Sequence, residues 1–166
     1  LNNMSDFVSI VRVAVVAATT VVVLMSTKRQ NTKILLKKKL QKKKDIQEEI
    51  YVASAHGHVE KVNELLTTKG VQINQGDTDG YTPLYVASQK GHVKVVNALL
   101  ARKDIQINQA SNKGATPLYI AGQNGHVKVI NVLLARKEIQ INQASNHGST
   151  PLLMACQEGR VKVVNV

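Results

Sequence analysis

Between positions 80 and 147 one pattern of apolar and polar residues is written twice, with a period of 34. Residues 80–113 read GYTPLYVASQKGHVKVVNALLARKDIQINQASNK, and residues 114–147 read GATPLYIAGQNGHVKVINVLLARKEIQINQASNH. The copies differ at eight positions, mostly by changes that keep size or charge type, such as Val86 to Ile120 and Asp104 to Glu138. A third copy runs through 148–166, and a weaker one through 46–79 keeps Tyr51, Ala53, Gly57, His58, Val62, Leu65, Leu66, Ile73 and Asn74 in register. A period this short makes each unit contact mainly its neighbours.

Inside one unit the local signals predict helix, turn, helix and extended loop. Thr82 can cap a first helix with Pro83 at its first position, where a missing N–H costs nothing. Leu84, Ala87 and Ser88 then share a face, and Gly91 ends the helix in a left-handed conformation. A second helix is expected from about 92 to 102, with Val96, Leu99 and Leu100 inward and Lys94, Asn97, Arg102 and Lys103 left to solvent. The stretch 109–114 is rich in turn formers. Ala53, Ala87, Ala121 and Ala155 recur at one helix position, where a small side chain lets neighbouring helices approach closely.

The TPLY, ASQKGHVKVVNALL and IQIN segments resemble the ankyrin repeat, and the resemblance covers 46–166. It implies an all-α solenoid of stacked helix-turn-helix units with projecting β-hairpin loops and a concave binding surface. Tyr85 and Tyr119 replace the motif His, as does Leu153, so the usual Thr–His hydrogen bond must be absent or replaced. The Gly that follows the second helix in the family is missing from both full units. Val161, Val163, Val164 and Val166 lack a downstream partner, so the natural product is expected to continue beyond 166 with a polar cap.

Ahead of the repeats, 7–25 is a nearly continuous apolar run, long enough to span a hydrocarbon core of about 30 Å as a helix. Arg12 opposes this, although it lies in the first third, where it can snorkel to an interface. A cleaved signal peptide fits less well, since no cation precedes the run when Met4 is the start. The reading favours a membrane anchor over 1–27 with the repeats facing the cytoplasm; a buried or irregular helix, or a leader ahead of a soluble cytoplasmic or nuclear protein, is the alternative.

Charge sharpens this division. The net charge is +11, yet 28–44 carry nine cations and no acid, while 45–166 carry twelve cations and ten acids. The tract contains Lys28, Arg29, Lys33, Lys37, Lys38, Lys39, Lys42, Lys43 and Lys44. Beside a bilayer it attracts anionic lipid, and without one it reads as a nuclear-localisation or nucleic-acid patch, which ranks second here. The bland alternative is a solvated linker helix. Asp45 and Glu48 resemble a capping box that starts the first repeat helix at Ile46.

Candidate chemistry is sparse. His58, His92 and His126 each follow a Gly at the turn between helices, which points to a structural role. His56 with His58 has no further ligand at metal spacing, and Cys156 falls at the small-residue position of Ser88 and Gly122, where core packing is expected. No phosphate-binding loop, nucleophile elbow or dinucleotide fingerprint is present. No enzymatic activity, cofactor or metal is expected.

The expected function is protein binding, with the partner's identity unreadable. Exposed positions that differ between copies are the candidate contacts: Asp79, Lys113 and His147; Tyr81, Ala115 and Ser149; Lys90 and Asn124, with Glu158 in the last copy. Tyr81 is the best anchor, because an aromatic at a loop tip offers apolar area with a polar end. The plainer reading is that these positions drift and Tyr81 only covers the adjacent hairpin.

Overall fold

The computed structural model describes residues 2–164; the side chains at 2–6, 10, 11, 13–15 and 18 are outside that description. Eight helices follow in order among the described residues: α1 (Asn2–His56), α2 (Val59–Thr67), α3 (Pro83–Lys90), α4 (Val93–Leu100), α5 (Pro117–Asn124), α6 (Val127–Leu134), α7 (Pro151–Gln157) and α8 (Val161–Val164). The chain forms two compact units, Leu1–Lys42 and Lys43–Val166.

The first unit is the long leading part of α1. The helix start expected at Ile46 is not found: α1 runs through Asp45 and Glu48 without a break. Residues 28–44 contain no Gly or Pro and are rich in Lys, Leu and Gln, so nothing in them interrupts a helix entering the repeats. Among the described residues no helix is long and apolar enough to cross a membrane. The expected span over 7–25 includes Ile10, Val11, Val13, Ala14, Val15 and Ala18, whose side chains lie outside the described residues.

In the second unit α3, α5 and α7 pack side by side as one layer, and α2, α4, α6 and α8 as another. Their shared core is aliphatic: Ile50, Val62, Leu84, Val95, Val96, Leu99, Val129 and Leu133 are all buried. Ala87, Ala121 and Ala155 have no exposed surface, as close stacking of the inner helices requires. The one-sided face expected for the first helix of a unit is too narrow, for every residue from Pro83 to Ser88 is buried. That helix meets its own partner α4 on one side and α5 of the next unit on another.

The capping signals hold. Thr82 and Thr116 accept hydrogen bonds from the backbone N–H groups of Tyr85 and Tyr119 at 3.1 Å. A backbone donor thus replaces the His of the family pattern. Gly91 and Gly125 close α3 and α5 at φ +76, a left-handed conformation that costs other residues about 1–2 kcal/mol.

The second helix is shorter than expected, ending at Leu100, and Arg102 is not left to solvent. Its guanidinium donates to the Leu66 carbonyl one repeat upstream at 2.7 Å and pairs with both carboxylate oxygens of Asp104 at 3.0 Å. This pairing holds the Asp104 carboxyl below its ordinary range. The projecting loops close as hairpin turns, with no strand among the described residues. Each turn has two backbone bonds, such as Ser111 N–H to the Ala115 carbonyl and Gly114 N–H to the Ser111 carbonyl, each at 2.9 Å, which are too few for a ladder.

Neighbouring units are tied by side chains that recur at the same spacing. His92 and His126 lie with Nε2 at 3.0 and 2.9 Å from the carbonyls of Ala55 and Gln89, which gives the turn histidines their structural role. In the last unit Arg160 takes this position and donates to the Gln123 carbonyl at 3.0 Å. Asn74 donates to the Asp104 carbonyl and accepts from the Gln106 N–H, and Asn108 repeats both bonds with Glu138 and Gln140. The hairpins are linked too: Asn112 donates to the Thr78 carbonyl and Asn146 to that of Asn112, each at 2.9 Å.

Cys156 is exposed rather than buried in the core. The equivalent Gly122 lies under the next unit, with the Pro151 carbonyl 3.1 Å from where a Cβ would sit. Of the valines flagged at the end, Val161 and Val164 are exposed and Val163 is buried, and Val166 lies outside the described residues.

Candidate functional site: a groove along the inner helices

The residues of the inner helices that face the loops form a second apolar cluster, separate from the main core. Tyr85, Val86, Ala115, Tyr119 and Ile120 are its buried members, with Tyr51, Tyr81 and Met154 packed against it. The sequence places aromatics here because α3 and α5 each begin Pro-Leu-Tyr, which puts the Tyr one turn inside the cap, toward the hairpin. The Tyr81 and Tyr85 rings stack with centroids 4.6 Å apart and planes within 9°.

Above this cluster lies an open groove of about 320 Å³, walled by α3, α5 and the hairpins that precede α5 and α7. Its floor is Tyr85, Tyr119 and Ile120; Tyr81, Lys113 and His147 stand along its hairpin side. Gln89 and Gln123, one helical turn beyond the tyrosines, border it on the other.

Three residues in register occupy the hairpin necks beside it. Asp77 is fully engaged: one carboxylate oxygen accepts the N–H groups of Asp79 and Tyr81, each at 2.9 Å, and the other accepts the Tyr51 hydroxyl at 3.0 Å. Partial burial, the bond to Asp77 and its negative charge push the Tyr51 phenol up to about 12. Burial, then the neighbouring phenols and Asp77, raises Tyr85 as well. One and two repeats later the same place is held by Ser111 and Ser145, which are 6% and 9% exposed. Both hydroxyls are buried without a hydrogen-bond partner and both residues line the groove.

The expected contact residues divide. Tyr81, Lys113, Ala115 and His147 all line the groove. Ala115 is only 7% exposed, because Tyr119 and the hairpin close over it, so it forms wall rather than tip. Asn124 spends its amide on the carbonyls of Gln89 and Ile120, at 3.3 and 3.1 Å, and so fastens one unit to the next. Asp79 and Lys90 are exposed and Ser149 half-buried, away from the groove lining. Glu158 is exposed at the end of α7.

Sequence reasoning did not assign Tyr85, Tyr119, Ser111 or Ser145 to the surface, because it looked for variation between copies and these positions are constant between the two full units. Their signal was a departure from the family pattern: tyrosine where the motif has His. Among the described residues no group of three or more His, Cys, Asp or Glu is placed to hold a metal ion. His56 and His58 stack on each other with ring centroids 5.8 Å apart.

In the first unit, Lys28, Arg29, Lys37, Lys38, Lys39, Lys42 and their neighbours in the tract are exposed along α1, as are Lys43 and Lys44 at the start of the second unit.

A comparison with curated proteins finds no match. The family model for ankyrin repeats in three copies matches residues 23–111 and 103–166. With stacked two-helix units held by recurring Thr-Pro caps, left-handed glycines and inter-unit His and Asn bonds, and with this match over most of its length, the chain belongs to the ankyrin-repeat family.

Proposed function

We propose that the repeats form a protein-recognition module that seats a segment of another protein in the groove over Tyr81, Tyr85 and Tyr119, without chemical turnover. The observation that carries this reading is a preformed aromatic floor bordered by unengaged polar groups. Aromatic side chains are enriched among the residues that dominate interface energies. The groove is continuous across two repeats, and rigid inter-unit bonds on both sides hold it open, so little ordering free energy opposes binding. Ankyrin repeats are in general protein-interaction modules.

The test compares affinity capture by the full chain with capture by Tyr81→Ala and Tyr81→Ala/Lys113→Ala variants whose helical signal and unfolding midpoint are preserved. A partner retained by the wild type and lost from both variants supports the groove. Equal retention by well-folded variants overturns it.

The apolar run at 7–25 and the exposed lysine tract beside it support a second element of the same proposal: the module is held at the cytoplasmic face of a membrane, with the tract against anionic lipid. Carbonate-resistant pelleting of the full-length chain is the expected result. A soluble nuclear pool overturns it in favour of the nucleic-acid alternative.

A further inference from the structure

One hairpin-tip position changes in charge character from one repeat to the next. Asp79, Lys113 and His147 occupy one position at intervals of 34 residues, and all three are exposed. Lys113 and His147 line the groove directly. Among the described residues neither has a carboxylate in hydrogen-bond or ion-pair contact, whereas Arg102 and Lys61 do.

Spacing turns this into a pattern. Packed helices lie about 8–10 Å apart, so successive hairpin positions are separated by roughly that distance. A polyproline II chain advances about 3.1 Å per residue with about three residues per turn, so one repeat corresponds to about three ligand residues and brings the side chain back to the same face.

Resting on the protein-recognition reading above, we infer that the groove takes an extended acidic peptide with two carboxylate side chains three residues apart, one for Lys113 and one for His147. The residue between them that points inward is apolar and lies on Tyr119 and Ile120. Asp79, at the same hairpin position one repeat earlier and just beyond the groove lining, repels a third acid on a peptide that extends past the groove and favours a Lys or Arg there, which fixes the direction in which the peptide lies. Rim charges of this kind act mainly on partner choice and on the rate of encounter.

The experiment pans a displayed library of random dodecapeptides on the immobilised full-length chain at low salt, in parallel on wild type, Lys113→Glu and Tyr81→Ala. The expected wild-type set is enriched in Asp or Glu pairs at a three-residue interval. Lys113→Glu should select Lys or Arg at one of those places and weaken an individual wild-type peptide about fivefold, a typical size for a pair at a solvent-exposed rim. Raising the salt should weaken wild-type binding toward the Lys113→Glu value. Peptides lost on Tyr81→Ala but indifferent to Lys113→Glu overturn the acidic pattern and leave the groove standing. Peptides indifferent to both variants overturn the groove as well. An enriched set with no acidic spacing, or no enriched set, overturns this inference, while partner capture by the Tyr81 variants still decides the broader reading.

Discussion

The Nε2 of His126 lies 2.9 Å from the carbonyl oxygen of Gln89, a residue 37 positions earlier in the adjoining repeat. A carbonyl only accepts, so the ring nitrogen must carry the proton, and its partner Nδ1 faces Gly91, where a Cβ would stand 2.7 Å away. One side chain thus satisfies the end of the preceding inner helix and sets how closely two turns approach. His92 does the same with Ala55 and Gly57.

Removing this tie by His126→Ala should lower the free energy of unfolding by about 1 kcal/mol, the usual net value of a partly buried hydrogen bond. His58→Ala is the control: His58 is exposed in the first repeat, so its effect should be within a few tenths of a kcal/mol. Urea titrations of the two variants measure the difference, and equal losses would remove the special role of the inter-unit bond.

Gly91 carries two costs on substitution, and they can be separated. Gly91→Ala meets both the left-handed backbone, φ +76, and the His126 ring, whereas Gly148→Ala has φ +77 with nothing within 4 Å of the added methyl. Gly148→Ala should cost about 1–2 kcal/mol for the backbone alone, and Gly91→Ala distinctly more. Introducing Gly91→Ala into the His126→Ala background should bring its cost back to the Gly148 value. A double-mutant cycle that shows no coupling would contradict the contact.

The core should respond in proportion to burial along the stack. Leu133 has no exposed surface and its truncation to Ala should cost about 2–5 kcal/mol. Leu152, 52% exposed on α7, should lose well under 1 kcal/mol on the same change. Thermal unfolding followed by circular dichroism tests both.

Alkaline pH should loosen the groove. Tyr51 is raised to about 12, so in the folded protein it holds its proton more tightly than the ordinary phenol near 10 does in the unfolded chain. Its stabilising contribution is complete below pH 10 and is lost as pH rises from there through about 12. Tyr51→Phe should flatten the fall in unfolding midpoint over this window, and absorbance titration of the four tyrosines should show at least two ionising late, Tyr51 and Tyr85. A single wave near pH 10 in the native protein would contradict the burial and hydrogen bonding described here.

The repeat, its helices and their caps were legible in the chain, because each depends on neighbours in sequence: Thr82 reaches the N–H of Tyr85 three residues on, and Gly91 needs only its own freedom at φ. The aliphatic core was legible for the same reason, since a helical face repeats every three or four residues. The positions that vary between copies include Tyr81, Lys113 and His147, which line the groove. Tertiary structure decided the rest. Arg102, expected in solvent, finds the Leu66 carbonyl 36 residues away, and Asn124, expected at a binding surface, is used in holding two units together. The first repeat helix has no beginning of its own, because a capping signal loses to an uninterrupted run of good helix formers ahead of it. The groove itself depended on stacking: Tyr85 and Tyr119 are 34 positions apart and form one floor only once their helices lie side by side. Sequence determined what each unit is, through contacts within a few residues, and packing determined what two units make together, through contacts that no local pattern encodes.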